Sequence, residues 1–395
     1  MKLTTPFALL GLVLGLAVPG VCTMSAADTP PVVVEPAIFS YGPKGTDLRS
    51  PDGDYTAHIN LRFQTRYTST EEENGDSSSE LEFKRVRFKM GGQLAQDWLT
   101  YYTEYDFPSE RLLDLRFTVE VDEALQFRLG QWKIPNNRER VDSSGNQQFT
   151  ERSIVTNAFT LDRQRGVAVF GRLWAGEAAD SWYNLAVCGG NGRGASGVGA
   201  RPLLLARWQW NFLRRDLDFS QSDTGYREKP AGSLALATAG WRGPYTAYSA
   251  AGGGELPGFA LGDDDRYDVS QTLFEAAYQY RGFSFQAEFH WKQVRDTVAH
   301  TTTDLAGGYV QAGYFPHALW PAVPKPLELA VRFAQVDPNV DMPNDREREP
   351  TVCANWFFAG HRNKLTVDYS WVTNEAAPVG AREQQRLRLQ WDVSI

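Results

Sequence analysis

The chain has 395 residues, enough for one large domain or two to three ordinary ones, with 48 acidic against 40 basic side chains. A net charge of −8 argues against a nucleic-acid partner, which would call for a basic domain. Of the 40 basic residues 31 are Arg and 9 are Lys, and Arg offers a planar fork of donors that matches phosphate or carboxylate.

The chain opens with Lys2, an apolar run from Phe7 to Val18, Pro19-Gly20 and small residues ending "SAA". This is the pattern of a secretory signal peptide over residues 1–27, cleaved after Ala27. The run is shorter than the roughly 20 apolar residues of a spanning helix, and no later stretch approaches one. "PGVC" around Cys22 is a poor lipobox, because Pro and Gly replace the usual aliphatic lead. Residues 28–54 are rich in Pro, Gly and small side chains and read as a flexible lead-in.

From residue 55 to 395 the texture is that of strands. "HINLRFQTRY" sets Ile59, Leu61, Phe63 and Tyr67 against Asn60, Arg62, Gln64 and Arg66. "LLDLRFTVEV" sets Leu113, Leu115, Phe117 and Val119 against Asp114, Arg116, Thr118 and Glu120, and "LQFRLGQWKI" sets Leu125, Phe127 and Leu129 against Gln126, Arg128 and Gly130. Similar runs recur to Ile395, with no amphipathic helix between them, so neighbouring strands are expected to be antiparallel. Short links alternate with long polar ones: Glu71 to Glu80, Asn191 to Gly199, Gln221 to Gly232, Gly252 to Asp268 and Asp337 to Glu349. That layout predicts an all-β fold, a transmembrane antiparallel barrel of about 16 strands enclosing an aqueous channel. The faces bearing Arg62, Arg66, Arg85, Arg87, Arg116, Arg128 and Arg332 would line the lumen, and the Ile, Leu, Phe and Val faces would meet lipid. An Arg or Lys facing lipid at the midplane costs roughly 2–4 kcal/mol, which is why the phase has to be kept. The rival is a soluble sandwich or propeller, which would not need so many long strands.

Several stretches, in order, carry a resemblance. They are "ELEFKRVRFKMGGQLAQDWLTYYTEYDF", "LQFRLGQWKIP", "FTERSIVTNAFTLDRQRGVAVFG", "GGYVQAGYF" with "LELAVRFAQVD", and "NWFFAGHRNKLTVDYSW". Together they resemble the phosphate-selective porin O and P family over nearly the whole mature chain. The resemblance implies a 16-stranded trimeric outer-membrane barrel, a third loop folded into the lumen, and basic residues that select small anions such as phosphate. Its basic cluster falls on Lys84, Arg85 and Arg87, and the acid of its "Y-D-F" on Asp106. Its constriction loop runs from about 135 to 163 and carries Arg138, Arg140, Arg152 and Arg163. Two stretches depart from the family: the chain ends in Ile395 where an aromatic residue is common, and "NNRERVDSSGNQQ" diverges within the loop.

Each site also has a plainer account. Lys84, Arg85 and Arg87 could be lumen charges balanced by Glu82 and Asp106. Because Lys84 is out of phase with its neighbours, a bulge or turn is expected there. Glu139, Asp142 and Glu151 could pair with the loop arginines and leave a generic constriction. "GGNGRGASGVG" lacks the Lys-Ser/Thr ending of a phosphate loop and reads as a surface loop, and "EEENGD" and "GDDD" read as solvated loop tips. Cys188 and Cys353 make neither a zinc pattern nor an indicated disulfide, and no nucleophile, catalytic residue, metal site or cofactor motif is found. The expected function is therefore passive diffusion of small, phosphate-like anions by a porin that is not an enzyme. Its partners would be the bilayer, lipopolysaccharide, the barrel-assembly machinery and two further copies of itself. A non-selective porin and a structural, envelope-anchoring barrel are the alternatives.

Overall fold

The computed structural model describes residues 38–42, 45–263 and 265–395; the segment expected to be a signal peptide and part of the lead-in lie outside them. A hairpin, Ile38–Gly42 with Gly45–Arg49, occupies the rest of the lead-in and lays its second strand against the first barrel strand, Thr46 opposite Ile59.

Sixteen antiparallel strands follow. They are β1 (Thr56–Glu72), β2 (Ser77–Leu94), β3 (Gln96–Asp106), β4 (Arg111–Glu120), β5 (Gln126–Lys133), β6 (Arg163–Leu173), β7 (Ser181–Cys188) and β8 (Arg201–Trp210). The second half is β9 (Ala231–Gly243), β10 (Tyr267–Tyr280), β11 (Phe283–Asp296), β12 (Thr301–Tyr314), β13 (Leu327–Asp337), β14 (Glu347–Phe357), β15 (Asn363–Asn374) and β16 (Glu383–Ser394). Each pairs with its chain neighbours, and β16 pairs with β1 from Gln384–Glu72 to Ser394–Arg62, so the sheet closes on itself. Closure leaves no unpaired edge, the condition for a sheet in hydrocarbon.

The alternation of the sequence is now a difference between inside and outside. Leu81, Phe83, Leu129, Phe274, Phe289, Val331 and Trp391 are exposed on the outer wall. Arg62, Gln64, Arg66, Glu104, Gln286, Glu288, Asn355 and Asp392 are buried within. A sandwich would reverse this order.

Three expectations need correction. The link Glu71 to Glu80 is a tight turn, because β1 runs to Glu72 and β2 starts at Ser77. Leu113 does not share an outer face with Leu115: the register slips between Glu104 and Tyr105, and the extra residue turns the Leu113 side chain into the wall, 1% exposed. The connection that contains Gln221, between β8 and β9, lies at the barrel end whose other links include single-residue Ala95 and the Arg281-Gly282 turn. Arg281 and Gly282 have φ of 48° and 79°, the pair of positive values that a type I′ hairpin turn requires.

The lumen is not wet throughout. Between β5 and β6 the chain forms two short helices, α1 (Arg138–Val141) and α2 (Val155–Phe159). Val155 and Phe159 of α2 join Trp132, Ile134 and Leu161 in one apolar core with inward Trp241, Val269, Val294 and Leu305. Tyr248, on a small hairpin in the β9–β10 connection, completes it. Cys188 and Cys353 are buried free thiols.

Candidate functional site

Most of the basic residues singled out from the sequence lie on β1, β2 and the β5–β6 loop, with Arg163 at the start of β6; Arg116, Arg128 and Arg332 stand on β4, β5 and β13. Arg62 and Arg87 are cross-strand neighbours, as are Gln64 and Arg85. The next register step pairs Thr65 with Phe83 and leaves Lys84 as the extra residue of a bulge. This is how Lys84 can leave the phase of Arg85 and Arg87 without disturbing either face. Its ammonium sits 3.1 Å from Glu82 rather than with the cluster.

Every guanidinium of this cluster meets a carboxylate. Arg62 grips Asp392 with two nitrogens, at 2.9 and 2.6 Å, and donates to the Ser144 hydroxyl. Glu151 of the loop accepts from Arg66 at 2.7 Å and from Arg85 at 3.3 Å. Arg87 donates to Glu104 at 2.7 Å and lies 3.5 Å from Asp106. Arg163 binds Asp114 at 2.9 Å, with Asp162 and Glu104 3.6 and 3.8 Å away.

The other loop arginines act on the loop itself. Arg140 pairs with Asp162. Arg152 donates to the carbonyls of Glu139 and Asp142, each at 2.8 Å. Arg138 donates to the carbonyls of Leu217 and Asp218 and stacks its guanidinium 4.8 Å from the Phe219 ring. Burial raises the Asp142 carboxyl to about 7 against the opposing pull of Arg138 and Arg152. Neither of its oxygens has a hydrogen-bond partner.

The loop is tied to the inner wall on the far side. The Glu288 carboxylate accepts from the Glu139 amide at 2.6 Å and from the Asn137 side chain at 3.2 Å, and Glu275 accepts from the Arg138 amide at 3.0 Å. Gln148 donates to Glu328, and Thr150 donates twice to Asp368. From the opposite end the β8–β9 connection reaches the same loop, where the Gln221 amide donates to the Asn146 carbonyl and its side chain accepts from the Gln148 amide.

Arg116 and Arg128 face a different part of the lumen. Arg116 stacks over Tyr102 at 4.7 Å, and Arg128 over Phe170 at 4.4 Å. Beside them stand Lys89 and Lys133, which the sequence reading passed over. Lys89 had a signal, since it continues the i, i+2, i+4 phase of Arg85 and Arg87. Among the described residues none of these four cations forms an ion pair with a carboxylate, and no group of three or more His, Cys, Asp or Glu could hold a metal ion.

The phosphate-selective porin O and P family matches residues 58–201 and 260–394. Among solved structures, the anion-selective porin from Comamonas acidovorans is similar at 10% identity and TM-score 0.59, over 86% of this chain and 99% of that one. OmpT of Vibrio cholerae is similar at 12% identity and TM-score 0.56, over 86% and 97%. The channel DcaP of Acinetobacter baumannii gives 12% identity and 0.53, again over 86% and 97%. No curated protein matches the sequence. At such identities the structures speak for the fold, while the family match spans more than half of the chain. The chain belongs to the phosphate-selective porin O and P family, whose members are outer-membrane channels and not enzymes.

Proposed function

We propose that the barrel is a passive pore for small anions, phosphate-like ones among them. The observation that carries this reading is the inverted wall: apolar side chains face out, while guanidinium and ammonium groups face a lumen narrowed by the β5–β6 loop. Rings of basic side chains are how anion pores select, and the low-dielectric wall strengthens each charge at a constriction. The family name and the anion-selective relative support the same sign of selectivity.

A second reading has its own support. Arg62, Arg66, Arg85 and Arg87 all face carboxylates, which mutes their field and favours a general porin. Conductance across a planar bilayer with a potassium chloride gradient decides between them. An anion pore gives a zero-current potential of the chloride sign, and phosphate lowers the chloride current. A potential near zero or of the potassium sign leaves a general porin, and no conductance at all leaves a structural barrel.

We infer also that the mature protein is exported through its signal peptide, assembled into the outer membrane by the barrel-assembly machinery, and trimeric among lipopolysaccharide. A trimer form is known for the OmpT relative of Vibrio cholerae. Light scattering of the detergent-folded protein tests the trimer, since a mass of one chain would exclude it.

A further inference from the structure

The lumen holds a chamber of about 530 Å³ between β2–β8 and the two inward loops, within the range of roughly 300–1,000 Å³ typical of small-molecule sites. Its charges are unevenly matched. Of its acids, Glu104 is taken by Arg87 and Asp114 by Arg163, while Asp218 pairs with Arg227 and Asp216 accepts from the Trp182 indole at 2.9 Å. Of its cations, Arg87 and Arg207 are matched by Glu104 and Glu275. Lys89, Arg116, Arg128 and Lys133 form no ion pair with a carboxylate among the described residues, although Glu104 lies near enough to act on Lys89 and Lys133. Lys133 reaches only the Asp142 carbonyl, at 3.3 Å, and Arg128 only the Thr118 hydroxyl, at 3.4 Å.

The walls between these cations are aromatic: Tyr102, Phe170, Trp182 and Phe219. Three of the rings already carry a guanidinium on one face, Arg116 on Tyr102, Arg128 on Phe170 and Arg138 on Phe219, which places a planar cation and a planar apolar surface side by side. A hydrated inorganic anion gains little from ring walls. An anion with a flat apolar body gains from both, its charge on the ammonium and guanidinium groups and its ring on the aromatic faces.

We propose that this chamber, which adjoins the Arg62–Arg87 cluster through Arg87, is a binding site for aromatic carboxylates. The inference deepens the anion-pore reading and rests on it for the idea that the occupant passes through. Lys89, Arg116, Arg128 and Lys133 are the cations offered to the carboxylate, and Tyr102 and Phe170 are among the faces offered to the ring. The bonds are all non-covalent, and release needs only the exchange of ammonium and guanidinium contacts for water.

Calorimetric titration of the full-length, detergent-folded barrel with benzoate, acetate and phosphate tests the site whether or not the pore conducts. Benzoate should bind about three- to tenfold more tightly than acetate, the margin set by ring stacking. In the bilayer it should block chloride current with the same preference. Lys89→Gln with Arg128→Gln should weaken benzoate at least tenfold, because each removes a charge-assisted contact. Phe170→Leu should keep carboxylate binding and shrink the margin over acetate. Lys89→Gln alone is the fallback if the double variant does not fold, since Lys89 makes no hydrogen bond whose loss would strand a partner. Equal affinity for benzoate and acetate, or benzoate affinity indifferent to these substitutions, overturns the site. An anion-selective pore without benzoate preference would reject the site and keep the pore. Benzoate binding by a barrel that does not conduct would do the reverse.

Discussion

Glu151 is one carboxylate shared by two guanidiniums, Arg66 and Arg85. Glu151→Gln removes one negative charge from the constriction and leaves both cations in place. Its zero-current potential in a salt gradient should move towards anions; a move towards cations would mean that Glu151 faces away from the ion path. Arg85→Ser with Arg87→Ser does the opposite, because it leaves Glu104 and Asp106 without their shared cation. The potential should shift towards cations and phosphate block should weaken. Lys at both positions should keep the sign but discriminate less between phosphate and chloride, since an ammonium lacks the fork. Asp142 adds a pH dependence. With its pKa raised to about 7, the carboxyl is neutral below that pH and negative above it. Anion preference should therefore decline as pH rises through 7, and Asp142→Asn should flatten the decline. A wild-type profile in the Asn variant would place the titration elsewhere.

At the scale of the strand, one residue decides which solvent a side chain meets. Leu115→Arg puts a charge on the lipid face, at a cost of roughly 2–4 kcal/mol near the midplane, and should impair the heat-modifiable folded band on gels. Arg116→Leu, one position away but inward, should fold nearly as well as the wild type. Deleting Lys84 is a stricter test. The bulge lets Leu81 and Phe83 face lipid while Arg85 and Arg87 face the lumen; with the extra residue removed, Phe83 and Arg85 become adjacent, regular alternation keeps both faces, and the deletion should give the wild-type folded band. Loss of the folded band in this deletion would mean that Lys84 holds a regular place in the ladder and is not the extra residue. These faces were legible in the sequence because period two survives wherever the two sides of a wall differ so much. Leu113 was not, since nothing local marks the slip opposite Glu104 and Tyr105. Lys84 was, because its charge stood visibly out of step.

At the scale of the whole molecule the constriction is a meeting of loops that descend from both ends. Sequence could place the arginines of residues 135–163 on the loop, but not their partners. Arg62 finds Asp392 330 positions away, and Gln148 finds Glu328 180 positions away, and nothing near either residue encodes the distance. Nor did periodicity show that α2 and the β9–β10 hairpin fill part of the lumen with apolar side chains, because a short helix inside a loop carries too few residues to show a stripe. The bonds across the lumen should govern how still the loop is held. Asp368→Ala removes both bonds to Thr150 and one to Arg388 and should raise open-channel noise or mean conductance. Unchanged current traces would show that the remaining anchors suffice.

The seam between β16 and β1 sets the order of events in assembly. Every other pair in the wall joins strands that are neighbours along the chain, whereas this one joins residues 310 or more positions apart, Gln384 with Glu72 and Ser394 with Arg62. Hairpins close in microseconds and sequentially, but the seam must wait for all of them. Until it forms, the sheet has two bare edges, each a template for a second chain. The vulnerable interval is therefore the last one, and its length depends on how fast these two strands find each other. The amide and carbonyl of Ile395 close the pairing on Leu61, both at 2.8 Å, so a chain shortened by a few residues at this end would lengthen that interval before it changed the finished pore.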